Sequence, residues 1–298
     1  MSVVEKTIRK LQEARALSGE SEHRPNSPNL PSNALPQSAD APERRYAKGA
    51  GITVERGNLY AAGLLPPQED APLLTRQYRK IKRPLIANAM SHEGARAPNA
   101  YLVMIASAVA GEGKTFTAVN LALSMALERD IRVLLVDADV AKPQLSDVLG
   151  LREAPGLLDA LRATDVDVET LIRPTDLATL AVLPAGKGAE EATELLSSDR
   201  MARIAEALGR NDSHRIVVFD SPPLLQTTES SALARIVGQV IVVVRAEFTP
   251  QPVVRDALAT LEGHPGVSVI LNQSMRSVTS AYYYYGYRAE RSDANGNS

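Results

Sequence analysis

Along the chain the densest apolar runs fall after Leu73. They are "YLVMIAS" (101–107), "IRVLLVD" (131–137), "LAVLP" (180–184), "RIVVFD" (215–220), "QVIVVVR" (239–245) and "VSVIL" (267–271). Each is short, rich in Val, Ile and Leu, and continuous rather than alternating, the pattern of a strand buried on both faces. Between them, residues 114–129, 199–209, 229–237 and 250–262 carry apolar positions at helical spacing. Strands alternating with helices predict an α/β domain of P-loop NTPase type, with a mostly parallel sheet covered by helices on both faces. Such a sheet binds ligands at the carboxyl ends of its strands.

The flanks of this pattern differ from it. Residues 1–18 place Val4, Ile8 and Leu11 near helical spacing among charges, which predicts a short amphipathic helix, either docked on its own domain or serving a partner. Residues 19–72 open with a stretch rich in Pro, Ser, Asn and charge and are expected to form a flexible linker. The regular pattern defines the domain at 73–275, and 276–298 form a tyrosine-rich tail.

Composition narrows the setting. The 298 residues are 44% hydrophobic, enough for a substantial core, and the formal net charge of -2 gives no global reason to expect nucleic acid or an anionic membrane surface. The absence of cysteine excludes disulfides and thiolate metal sites. With no signal-peptide pattern and no apolar run long enough to cross a bilayer, the expected setting is cytoplasmic, without a direct membrane span. His23, His92, His214 and His264 lack metal-ligand spacing and read as surface residues.

The strand ends carry the chemistry. After the run at 101–107 comes "AVAGEGKTF", in which Ala108, Gly113, Lys114 and Thr115 match the [A/G]-x4-G-K-[S/T] P-loop and open a predicted helix. Gly111 and Gly113 let the backbone turn its N–H groups toward phosphates, and Lys114 reaches the β and γ phosphates. Thr115 offers a hydroxyl to Mg²⁺, and the helix N-terminus adds partial positive charge. Residues Gly111, Glu112, Gly113, Lys114, Thr115 and Phe116 form the expected nucleotide contact. Asp137 and Asp139 end the second run and Asp220 the fourth, where an uncompensated carboxylate is costly. A nearby Mg²⁺ or a transferable proton accounts for such acids, so ATP and Mg²⁺ are the expected cofactors.

The tail adds an unusual feature. Tyr282, Tyr283, Tyr284, Tyr285 and Tyr287 are five of the nine tyrosines in a chain with three Phe and no Trp. They either pack as a strand or present hydroxyls as phosphate acceptors.

Taken together, the P-loop, the "VLLVDAD" box, the "IVVFDSPP" box and the tyrosine cluster resemble the bacterial tyrosine kinases, in particular the autokinases of exopolysaccharide loci, including those linked to exosortase systems. The resemblance spans residues 73 to 288. It implies an ATP-using autokinase whose tail is phosphorylated in trans by a neighbouring subunit, within a homo-oligomer recruited to the inner face of the cytoplasmic membrane. It further implies two partners: a membrane chain-length-determinant (Wzz-like) protein on a separate polypeptide, and a cognate tyrosine phosphatase. In that family's terms Asp137 is the general base, Asp139 helps organise the metal, Asp220 completes the Mg²⁺ shell with Thr115, and Asn272 contacts adenine.

One departure concerns assembly. The family's subunit-contact helix reads E-x2-R-x2-R, whereas "RQYRKIKR" has Arg76, Arg79 and Lys82 at those places, which leaves ring-shaped assembly an open expectation. Two other functions are weighed. One is a partitioning or placement ATPase with a deviant P-loop, which carries an early loop lysine where this chain has Val109. The other is a non-catalytic nucleotide-dependent scaffold.

Overall fold

The computed structural model describes residues 46, 51–91, 97–163, 165–188, 191–210 and 212–274. The amphipathic helix expected over 1–18 and the tyrosine tail lie outside the described residues.

Strands β1 (Leu102–Ser107), β2 (Arg132–Asp137), β3 (Arg173–Pro174), β4 (Leu180–Leu183), β5 (Arg215–Asp220), β6 (Gln239–Arg245) and β7 (Val267–Asn272) form one sheet in the order β3-β4-β2-β5-β1-β6-β7. All neighbours pair in parallel except β3 with β4. The short antiparallel edge strand is the one departure from the parallel pattern read in the sequence. "RP" is too brief to leave a hydrophobic signature.

The helices in chain order are α1 (Arg56–Ala61), α2 (Ala71–Ala89), α3 (Lys114–Met125), α4 (Gln144–Val148), α5 (Leu157–Arg162), α6 (Ala192–Leu196), α7 (Asp199–Arg210), α8 (Thr228–Ile236) and α9 (Gln251–Ala259). The central strands β1 and β5 are buried at every position, which explains their unbroken apolar runs. Strand β7 lies at the sheet edge, so Val269 and Leu271 are exposed despite an equally apolar sequence.

The linker expected over 19–72 does not extend that far. Over 51–72 the chain is structured: Ile52 bridges to Thr175, and α1 buries Leu59. Leu64 is buried and its carbonyl accepts a hydrogen bond from Asn120 Nδ2 at 2.8 Å. The compositional bias that marks a linker ends near Gly51, and Leu59, Leu64 and Leu65 supply the burial that offsets ordering entropy. His214 and His264 are half-buried rather than on the surface. His264 Nε2 sits 2.9 Å from the Val237 carbonyl oxygen.

Candidate active site

The site is assembled where β1, β2 and β5 end. Beyond β1, the loop climbs to Gly113, which caps α3 with φ 96°, after Gly111 at φ 82°. Both values fall in the left-handed region that glycine adopts at little cost. A side chain at 113 would also run into the Asn272 amide.

Glu112 holds the loop from beneath. Fully buried, it accepts the Val109 N–H at 2.8 Å through Oε2, and through Oε1 the Thr249 hydroxyl at 2.6 Å and the Arg245 N–H at 3.3 Å. Its side chain therefore braces the cradle from within, which leaves the backbone N–H of Glu112 as the part of the residue that could meet a phosphate. Asn272, at the end of β7, donates to the Glu112 carbonyl at 2.9 Å, and its Oδ1 accepts the Gln273 N–H at 2.9 Å. Its amide thus ties the loop to the sheet while the residue lines the cavity.

A cavity of about 900 Å³ opens over the loop. Gly111, Gly113, Lys114, Thr115, Phe116 and Asn272 line one side of it, so these expected residues do come together. The opposite wall comes from the stretch read as linker and from α2: Tyr60, Gly63 to Pro67, Asp70, Leu74 and Gln77. Only the periodic leucines of "NLYAAGLLPP" hinted at that wall.

The three aspartates stand behind the loop. Asp137 and Asp220 are register partners on β2 and β5, and both are buried. Asp137 Oδ2 accepts the Ser146 N–H at 2.8 Å and its hydroxyl at 2.7 Å, whereas Oδ1 has no partner. Burial first, then the neighbouring Asp220 carboxylate, pushes the Asp137 carboxyl up to about 8 despite the two bonds from Ser146. Burial likewise raises Asp220 to about 7, against the opposing pull of the Thr115 hydroxyl and Lys114. Asp220 Oδ1 is also without a partner. Asp139 is half-exposed, and burial raises its carboxyl while the Lys114 charge lowers it. Ser146, the residue that orients Asp137, carried no recognisable signal in the sequence.

Among the described residues no group of three or more acids or histidines converges to hold a metal through protein side chains alone. Mg²⁺ does not need such a cage, because it takes one or two carboxylates together with substrate phosphates. The Thr115 hydroxyl beside Asp220, with an orphaned buried carboxylate oxygen and the half-exposed Asp139 near Lys114, fits that requirement.

A glycine-turned loop at the N-terminus of a helix, a buried lysine, and paired strand-end carboxylates behind it define a P-loop nucleotide-binding α/β domain. Consistent with this, the AAA domain family model matches residues 101–263. Tyrosine-protein kinase YwqD of Bacillus subtilis is 31% identical over 235 residues, covering 78% of this chain and 94% of its own. Tyrosine-protein kinase wzc of Salmonella typhi is 31% identical over 196 residues, covering 63% of this chain and 27% of its own. The solved VpsO kinase domain superposes with a TM-score of 0.57 at 30% identity, covering 70% of this chain and 100% of that one. The chain belongs to the bacterial tyrosine-protein kinases and carries their kinase domain. It spans about a quarter of the Salmonella kinase's length. No helix among the described residues is long and apolar enough to cross a membrane.

The helix that carries the departure in the assembly motif is α2. Arg76 and Arg79 are exposed on it, but Lys82 is buried, with Nζ 2.5 Å from the Ser124 carbonyl and 2.7 Å from Glu128 Oε1. Lys82 therefore latches α2 onto the end of α3, and the three residues do not share one outward face.

Proposed function

We propose that the chain is an ATP-dependent tyrosine autokinase that phosphorylates its own cluster Tyr282–Tyr285 and Tyr287 in trans and thereby regulates exopolysaccharide synthesis or export. The observation that supports this best is the pair of buried carboxylates, each with an unpartnered oxygen, set behind a P-loop lysine. A switch or scaffold needs the phosphate cradle, but a kinase also needs a group to take the acceptor's proton.

In this reading ATP lies in the cavity with its phosphates on the N–H groups of 111–115. Lys114 neutralises charge on the β and γ oxygens, which is worth most as that charge shifts during transfer. Thr115, Asp139 and Asp220 would hold Mg²⁺, which when bound supplies further charge neutralisation on the phosphates. Asp137 Oδ1 accepts the proton of the incoming tyrosine hydroxyl, with Ser146 fixing the carboxylate through its other oxygen. The tyrosine oxygen bonds to the γ-phosphorus as the bond to ADP breaks. The half-exposure of Asp139 favours a second acceptor, so the roles of the two acids are separable by substitution. Recruitment by a membrane chain-length-determinant protein, a homo-oligomeric state and reversal by a tyrosine phosphatase belong to the same proposal.

Mixing two full-length variants tests it. Lys114→Met keeps its tyrosines but loses transfer; a five-fold tail Tyr→Phe variant keeps transfer but loses acceptors. Neither labels its own tail alone, while the mixture places phosphate on the Lys114→Met chain, at a rate that climbs with concentration. A mixture that stays unlabelled, beside wild-type labelling that ignores dilution, makes the reaction intramolecular. Absence of phosphotyrosine on the wild type at any concentration rejects the kinase reading.

A further inference from the structure

The phosphate cradle is held from a loop that lies outside the cavity. Between β6 and α9 the chain turns sharply: the Thr249 N–H reaches back to the Arg245 carbonyl at 3.1 Å, and Glu247 sits at φ 60°, a left-handed conformation that few glutamates adopt. The Phe248 ring lies 4.4 Å from the Arg245 guanidinium, the Ala246 N–H bonds to the Asn272 carbonyl at 2.9 Å, and Pro250 is the N-cap of α9. Thr249 is thereby fixed in place by its own loop. Its hydroxyl donates to Glu112 Oε1 at 2.6 Å, the length of a short, strong hydrogen bond. The other bond to that oxygen, from the Arg245 N–H, is longer at 3.3 Å. Among the described residues that line the cavity, Thr249 is absent.

We propose that Thr249 is a positioning residue for phosphate binding, acting through Glu112 to set the curvature of the loop at 109–113. Glu112 joins that loop to its surroundings at three points: Oε2 takes the Val109 N–H, the carbonyl takes the Asn272 amide, and Oε1 takes the Thr249 hydroxyl. Val109 is pinned again by the Ser107 hydroxyl, which donates to its carbonyl at 2.6 Å. A phosphate cradle is a set of N–H groups turned toward one place, and their partial charges repel one another until an anion arrives. A loop without its brace spends part of its time turned away, and the apparent affinity falls by the fraction that keeps the binding shape. Without the Thr249 hydroxyl, a fully buried carboxyl oxygen keeps only its long bond, and the loop relaxes to bring that oxygen to another donor. Bound phosphates hold the N–H groups themselves, so the loss falls on binding and not on the transfer step. The inference rests on the reading of this loop as a nucleotide site and is independent of which acid takes the acceptor's proton.

The test is titration of the full chain with a fluorescent, non-hydrolysable ATP analogue and Mg²⁺, followed by phosphotyrosine labelling at varied ATP. Thr249→Val keeps the shape of the side chain and removes its hydroxyl. It raises the Kd for the analogue and the KM for ATP together by about ten-fold, with kcat within about two-fold of the wild type. Thr249→Ser returns the hydroxyl and restores both. Inorganic tripolyphosphate, used as a competitor, loses affinity by the same factor, since the change lies in the cradle and not at the base. Wild-type affinity in Thr249→Val, a fall in kcat with KM unchanged, or a Ser variant that behaves like the Val variant overturns the proposal. If Thr249→Val and Thr249→Ala both fail to fold by circular dichroism, Thr249 is a structural residue and the proposal falls equally. A wild type that binds the analogue but labels no tyrosine rejects the kinase reading, and the Kd comparison still decides the role of Thr249. A wild type that does not bind the analogue rejects the nucleotide reading of the loop and this inference with it.

Discussion

Strands β2 and β5 run side by side from a pair of arginines to a pair of aspartates: Arg132 is the register partner of Arg215 at one end, and Asp137 of Asp220 at the other. At the first end every charge faces an opposite charge at ion-pair distance, even where the geometry is not that of a hydrogen bond. Asp212 Oδ2 lies 2.5 Å from Arg132 Nε and 3.7 Å from Arg215 Nε, and Glu169 meets the Arg215 guanidinium at 2.6 and 3.0 Å. The Tyr46 ring stacks against both arginines, at 5.4 and 5.7 Å. Burial would raise Asp212, but the hydrogen bond from Arg132 and the His214 N–H outweigh it and hold it below the usual carboxylate range. At the other end burial wins, and Asp137 and Asp220 are raised well above that range with one oxygen each unanswered. The same two strands thus carry a charge cluster completed within the chain and one that awaits a ligand. Burial alone does not separate structural from functional charge. Completion does.

The comparison breaks most visibly at the open end. Asp137→Asn removes the proposed proton acceptor while keeping its shape and its bonds with Ser146, and lowers the rate of tyrosine phosphorylation by about 10²- to 10⁴-fold with ATP binding retained. Asp139→Asn gives the smaller loss if Asp137 is the base. Single-turnover labelling of the two variants decides between them. A larger loss at 139 moves the role there.

At the completed end the effect falls on stability instead. Arg215→Met leaves Glu169 and Asp212 without their shared cation in a buried setting, and costs about 3 kcal/mol in urea denaturation, the lower part of the range for breaking a buried pair because Arg132 continues to serve Asp212. Phosphorylation per folded molecule is unchanged. A loss of activity without a loss of stability would mean that the two ends are not the separate devices described here.

Much of this was legible in the sequence, for different reasons at different places. The central strands declared themselves because a strand covered on both faces must be apolar throughout, and the P-loop because its backbone geometry demands Gly111 and Gly113 at fixed spacing. The strand-end aspartates stood out as charges adjoining buried runs. Other features depend on contacts between residues far apart in the chain and leave no local trace. The Glu112 side chain reads as a ligand contact of its loop, yet the carboxylate is an internal brace, because the partner that claims it, Thr249, comes 137 residues later. Ser146 is an ordinary serine until folding places it on Asp137. The cavity wall at Gly63–Pro67 was hidden by the biased composition of the residues preceding it. Lys82 likewise looks like one more surface cation in a basic run, and only helix phase against α3 turns it inward.

The smallest effect sharpens the comparison most, because it reads the open end without a reaction. A carboxyl whose value is raised in the fold binds protons more tightly folded than unfolded, so it favours the fold most below its unfolded value, near 4, and that contribution is lost as pH rises through the folded value. With Asp220 at about 7 and Asp137 at about 8, the nucleotide-free protein loses stability as pH climbs from about 4 to about 8. The two acids titrate as a pair, so the decline is one broad slope rather than two steps. Asp220→Asn removes one of the buried charges and relieves its neighbour, so it raises the melting temperature near pH 8 by a few degrees, about 1 kcal/mol, and flattens the slope. Adding Mg²⁺ and a non-hydrolysable ATP analogue flattens it in the wild type too, since cations beside the pair favour the ionised form. Thermal melts across that range, with and without the analogue, measure all three. A wild-type slope of opposite sign, or one that Asp220→Asn leaves unchanged, would show that the carboxylates at this end are answered within the chain after all, as those at the arginine end are.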